Sequence, residues 1–158
     1  TNNAHFRVSA GDFGLFKAGL STSVTTGPSM NFLSASFQSS EGYEKNTDYR
    51  ITNLYYTNSI EIKPGTLDFQ AGFTSRAFGA NSFYSPRYPD QYENIRTFFT
   101  GIRLSNNNSK TNVSPYFYWR HNRDQFALFR SNPPEWYITD NYHLTDVKGY
   151  GLTFPVHS

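Results

Sequence analysis

The chain has 158 residues, a formal net charge of +2 and no cysteine. Lys and Arg are scattered among the acids rather than gathered into a stripe, which excludes a nucleic-acid surface, and no apolar run approaches the roughly 18 residues of a membrane-spanning helix. An aromatic share of 18% beside a hydrophobic share of only 37% is more aromatic than a polar soluble domain needs.

Taken in chain order, dyad alternation recurs in segments of about ten residues, the pattern of strands with one face in lipid and one in water. It predicts strands over 4–10, 13–24, 29–39, 47–61, 66–76, 92–104, 111–121 and 143–154. In the second, Phe16, Ala18, Leu20 and Val24 oppose Lys17, Gly19, Ser21 and Ser23. The third sets Leu33, Ala35 and Phe37 against Ser34, Ser36 and Gln38, and the fifth sets Leu67, Phe69, Ala71 and Phe73 against Asp68, Gln70, Gly72 and Thr74. Small, polar inward rows suit a wide lumen. Two strands blur the pattern: Phe98 and Phe99 fall on opposite faces, and Tyr116 and Tyr118 oppose Phe117 and Trp119. Tyr55, Tyr56, residues 116–119 and Tyr142 are expected at the membrane interfaces, where an aromatic ring keeps one end wet.

From the second connection onward, short and long connections alternate. Barrels of this kind have short periplasmic turns and longer external loops. The turns 25–28, 63–65 and 105–110 are therefore expected at the periplasm and the loops 40–46, 77–91 and 122–142 outside. The chain would begin at the periplasm. Its first residue, Thr1, and its end at Ser158 both read as interruptions of a longer protein.

Three segments carry a resemblance. Val8-Ser9-Ala10-Gly11-Asp12-Phe13-Gly14 resembles the first barrel hairpin after the plug domain of TonB-dependent outer-membrane receptors, specifically those of Bacteroidetes-type bacteria. Ser40-Glu41-Gly42-Tyr43-Glu44-Lys45-Asn46-Thr47-Asp48-Tyr49 is similar to an early loop of the same receptors, and the stretch from Arg76 to Glu93 resembles the third loop of members described as vitamin B12 receptors. The likeness spans nearly the whole chain. It implies an all-β fold, an antiparallel transmembrane barrel meander of about eight strands belonging to a 22-stranded barrel, with plug, TonB box and later strands absent here.

The resemblance further implies energy-coupled uptake of a large, scarce ligand, a corrinoid such as vitamin B12 or a siderophore, with no enzymatic step and no cofactor. The implied partners are the TonB-ExbB-ExbD complex acting through the plug, the remaining strands, outer-membrane lipid and lipopolysaccharide, and a surface lipoprotein. Candidate ligand contacts are Phe78, Asn81, Phe83, Tyr84, Arg87 and Tyr88 in the third loop, joined by Trp136 and Tyr137 in the fourth. These combine flat apolar area with hydrogen-bonding groups. Alternatively, Pro86 and Pro89 stiffen a self-packed loop, and Arg123 and Arg130 of the fourth loop contact anionic lipopolysaccharide. A complete eight-stranded barrel with an adhesin or structural role is the competing reading of the whole chain.

Two pairs, His121 with Asp124 and His143 with Asp146, invite a metal or general-base reading. Positions three apart on a strand face opposite sides, so neither pair can close on one ion. Glu41, Glu44 and Asp48 lack the carboxylate density of a calcium site. The sequons at Asn107 and Asn112 matter only in a eukaryotic secretory context.

Overall fold

A computed structural model describes residues 2–63, 65–106 and 113–153. Eight strands form one sheet: β1 (Asn3–Gly11), β2 (Leu15–Thr26), β3 (Ser29–Ser40), β4 (Tyr49–Ile62), β5 (Gly65–Gly79), β6 (Tyr92–Asn106), β7 (Ser114–Ala127) and β8 (Asn141–Thr153). Each strand pairs antiparallel with its sequence neighbour, and the spatial order is the chain order. The expected all-β meander is what forms. Among the described residues β1 and β8 share no ladder, so the eight strands do not close on themselves as a small complete barrel.

Register extends the alternation from single strands to the whole sheet. Antiparallel partners point to the same side, so a row can be followed from edge to edge. One row runs Phe6, Leu20, Ala35, Leu54, Phe73, Phe98, His121, Asp146. Its neighbour on the other face runs Arg7, Gly19, Ser36, Asn53, Thr74, Thr97, Asn122, Thr145. The first is apolar through six strands; the second holds no apolar side chain at all. Hydrogen bonds stitch the polar row together: Asn53 donates to Ser36 (3.1 Å), Thr74 to Asn53 (2.6 Å) and Thr97 to Asn122 (2.5 Å).

The polar face carries a hollow. A trough of about 730 Å³ lies at its turn end, reaching from Met30 on β3 to Thr153 on β8. The aromatics that blur the sequence pattern lie down on this face over glycines. Phe99 is the register partner of Gly72, Tyr118 of Gly149 and Tyr116 of Gly151. A Cβ at Gly72 would come within 2.3 Å of the Phe99 ring, and one at Gly149 within 2.0 Å of the Tyr118 ring. The missing side chain makes the room that the ring fills. Tyr55, Tyr116 and Tyr118 therefore belong to the hollow face, not to an interface girdle as expected. Tyr56, Phe117, Trp119 and Tyr142 do lie on the apolar face.

Turn chemistry fixes the hairpins. Phe13 and Gly14 take φ of 57° and 65°, and Leu15 N–H donates to Asp12 C=O at 3.1 Å, the doubly positive φ of a two-residue turn that matches strand twist. Gly27, at φ 56°, opens the turn before Pro28. Several strands run past their expected ends at the loop side. β5 continues to Gly79, so Phe78 is a strand residue, and β7 continues to Ala127, so Arg123, Asp124 and Phe126 leave the fourth loop for the sheet. Residues 107–112, with both sequon asparagines, lie outside the described residues.

Candidate loop site

The connections 12–14, 41–48, 80–91 and 128–140 all emerge at one end of the sheet. The best-buried side chains gather here rather than in a core: Gln91 is 1% exposed, and Asn46, Glu93, Ala80 and Ala127 are also buried. Asn46 holds the centre with the left-handed backbone (φ 58°) that asparagine tolerates better than most residues. Its side-chain amide donates to Pro89 C=O (2.9 Å) and Gln91 C=O (2.6 Å), and its own carbonyl accepts from Asn81 N–H (3.1 Å). A Cβ at Gly79 would meet the Asn46 backbone at 2.6 Å, so only glycine lets the two segments approach.

The 128–140 loop joins the same knot through Arg130. Its guanidinium grips the Asp48 carboxylate, with Nη2 to Oδ2 at 2.9 Å, reaches Asn46 Oδ1 (3.2 Å), and lies 4.7 Å above the Tyr92 ring. Its backbone N–H donates to Asp90 C=O (2.8 Å), and Ser131 N–H donates to the Asp90 carboxylate (2.8 Å). The Arg130 hydrogen bond holds the Asp48 carboxyl below the usual carboxylate range and raises the guanidinium in return. Three loops are thus tied by charge-assisted bonds between backbone segments far apart in sequence.

The candidate ligand contacts differ in how far they are tied into the loops. Asn81 donates to Lys45 C=O (2.8 Å). Tyr84 donates its hydroxyl to Glu93 and packs edge-on to Phe126 at 5.4 Å; chiefly because of that bond to Glu93, its phenol is pushed up to about 12. Tyr88 packs on Phe129 (5.6 Å), and so does Tyr137 (5.3 Å). The Tyr137 hydroxyl accepts from Leu128 N–H (2.9 Å) and donates to Asp140 (3.2 Å), and burial of the phenol raises its pKa. Phe78 faces the hollow side of β5 opposite Tyr49 and Glu93. The large rings most exposed are Phe83 (76%), which packs edge-on to Tyr84 at 4.8 Å, and Trp136 (62%), which packs edge-on to Phe129 at 5.6 Å; Arg87 is exposed beside Tyr88, its guanidinium 5.7 Å from that ring.

Asn46, Gln91 and the Arg130–Asp48 pair were not singled out from sequence as the organisers of these loops. The two His–Asp pairs are rearranged. His121 faces Asp146 across β7 and β8, at 3.9 Å, and Asp146 also accepts from the Trp119 indole; Asp124 is the register partner of His143. No group of three metal-ligating side chains occurs among the described residues.

No family model matches the chain, and no curated protein or solved structure matches it either. The geometry itself therefore carries the functional reading: a surface of exposed aromatics and one arginine, mounted on a pinned loop cluster at one end of a sheet with a polar hollow.

Proposed function

We propose that this chain is part of the barrel wall of a TonB-dependent outer-membrane transporter, with the pinned loops outside the cell and the polar face toward the lumen. The supporting observation is the pair of adjacent rows that cross the sheet, one apolar through six strands and the other wholly polar. A sheet whose two edge strands pair with nothing further among the described residues, and which buries almost no apolar side chain among them, has little to hold it in water. Lipid on one face, and a plug and further strands toward the lumen and edges, supply what is missing. On this reading the wall belongs to a barrel of 22 strands, and the plug couples it to TonB-ExbB-ExbD.

The loop cluster then serves recognition of a large ligand, a corrinoid or a siderophore, through Phe83, Arg87 and Trp136, and no bond is made or broken. A surface lipoprotein would meet the same loops.

The two tryptophans give a direct test. Trp119 lies on the apolar face and Trp136 in a loop. In bilayers brominated along the acyl chains, the Trp136→Phe variant, which keeps Trp119, is expected to lose most of its fluorescence, and the Trp119→Phe variant to keep its own. Equal accessibility of both to an aqueous quencher would remove the membrane reading.

A further inference from the structure

On the apolar face, Arg96 of β6 and Arg123 of β7 are direct register partners. Like charges placed opposite one another across a ladder repel and destabilise the pair, yet both side chains are exposed and neither has a carboxylate partner among the described residues, whose ion pairs are Arg103–Asp68, His121–Asp146 and Arg130–Asp48. Arg123 is held by a ring instead: its guanidinium lies 5.1 Å from the centroid of Tyr142.

A third cation extends the pair. Arg50 shares this face, and its register path through Ala77 leads to Asn94, on the same face of β6 as Arg96. The crossing amounts to two strand spacings, about 10 Å, within the combined reach of two arginine side chains. Of the two arginines that the sequence offers for an anionic contact, Arg123 belongs to this pair, whereas Arg130 is already neutralised by Asp48. The turn end of the same face is different. There the side chains include Val24, Asn31, Asn58, Leu67, Leu104 and Leu152, and the one cation in that half of the face among the described residues is Lys148, the register partner of Trp119.

We propose that Arg96 and Arg123, with Arg50 beside them, form a clamp for the phosphate of a phosphorylated glycolipid of the outer leaflet, lipid A. Two guanidinium forks across one rung present parallel N–H donors suited to bridging a phosphate dianion, and the apolar rows toward the turns receive the acyl chains. The anion removes the repulsion that the sheet otherwise carries. The assignment to the outer leaflet rests on the orientation proposed above, in which the loop end faces outward.

The test uses the purified full-length protein in lipid-free detergent, titrated with bis-phosphorylated lipid A and followed by native mass spectrometry. Bis-phosphorylated lipid A is expected to bind tightly and its dephosphorylated form weakly. The double variant Arg96→Gln/Arg123→Gln should lose at least about tenfold in affinity, since each surface cation contributes to holding an anionic headgroup. Arg120→Gln, next to the pair on β7 but on the hollow face, should bind like the parent. Without lipid, Arg96→Gln should melt no lower than the parent, because it removes a repulsion and no bond. Undiminished binding by the double variant, or equal binding of phosphatidylglycerol, would overturn the proposal. Tryptophan quenching by brominated lipid separates the two readings: quenching of Trp119 with an unaffected double variant sinks the clamp alone, and absence of quenching sinks the membrane orientation on which it rests.

Discussion

Arg130 and Asp48 stand 82 residues apart in sequence and meet as a bidentate pair, with Nη2 to Oδ2 at 2.9 Å. No other ion pair among the described residues ties one long loop to another. The pair decides whether the loops move together or separately.

Because Asp48 titrates below its ordinary value, its contribution is present above about pH 4, the usual unfolded carboxylate range, and is lost as pH falls through the lower folded value. Protection of the amides in 80–91 and 128–140, measured against their intrinsic exchange rates at each pH, should therefore fall on acidification below about pH 4. Asp48→Asn should show that lower protection already at neutral pH. The pair is part-exposed, so its removal should cost no more than about 1 kcal/mol of global stability. Exchange in Asp48→Asn identical to the parent at pH 7 would show that the clasp does not govern the loops.

Phe69 and Gln70 are sequence neighbours on opposite faces. Phe69→Arg should destabilise the bilayer-folded protein by roughly 2 to 4 kcal/mol if it sits near the midplane, and Gln70→Arg should be nearly silent. Refolding into lipid vesicles under denaturant compares them, and equal effects would reverse the facing.

Of the loop aromatics, the most exposed, Phe83 and Trp136, should matter most for ligand and least for the loops, each making only edge-on ring contacts. The double variant Phe83→Ala/Trp136→Ala should lose about 2 kcal/mol, or more than tenfold, in corrinoid affinity with the loop cluster intact. Tyr84→Phe removes the hydroxyl bonded to Glu93 and should raise amide exchange in 80–91. Corrinoid binding unchanged in the first variant, alongside retained siderophore binding, would redirect the cargo; loss of neither would vacate the loop surface.

Gly65 and Gly72 make a paired test of close approach. A Cβ at Gly65 would meet the Ser105 carbonyl oxygen at 1.7 Å, which is backbone, whereas at Gly72 it would meet the end of the Phe99 ring. Gly65→Ala should cost about 2 kcal/mol, in the range of overpacking. Gly72→Ala should cost less, because the ring can turn aside. Urea midpoints of the two variants check the order.

Period-two alternation was legible because one face of the sheet is apolar and the other polar, so that sequence neighbours such as Phe69 and Gln70 differ in character. Strand ends were less legible where the sheet runs beyond the apolar rows. From Asn122 to Ala127 both faces carry polar or charged groups, so alternation fades while the ladder continues. Phe99 and Tyr118 looked irregular because the sense of a ring on the hollow face lies in the glycine across the ladder, a partner that only register reveals. The loop knot was the least legible part. Asn46 reaches Gln91 through backbone carbonyls, which leave no mark in the side-chain pattern of either segment.

Because each strand of the meander leans only on its neighbours in sequence, the sheet is modular at the level of the hairpin. Adding or deleting one strand would swap which end carries every later loop, whereas adding or deleting a hairpin leaves all the others the same way up. Diversification of a sheet built this way is therefore quantised in pairs of strands, with the loops free to vary one hairpin at a time, except where a bond such as Arg130 to Asp48 makes two of them inherit their fate together.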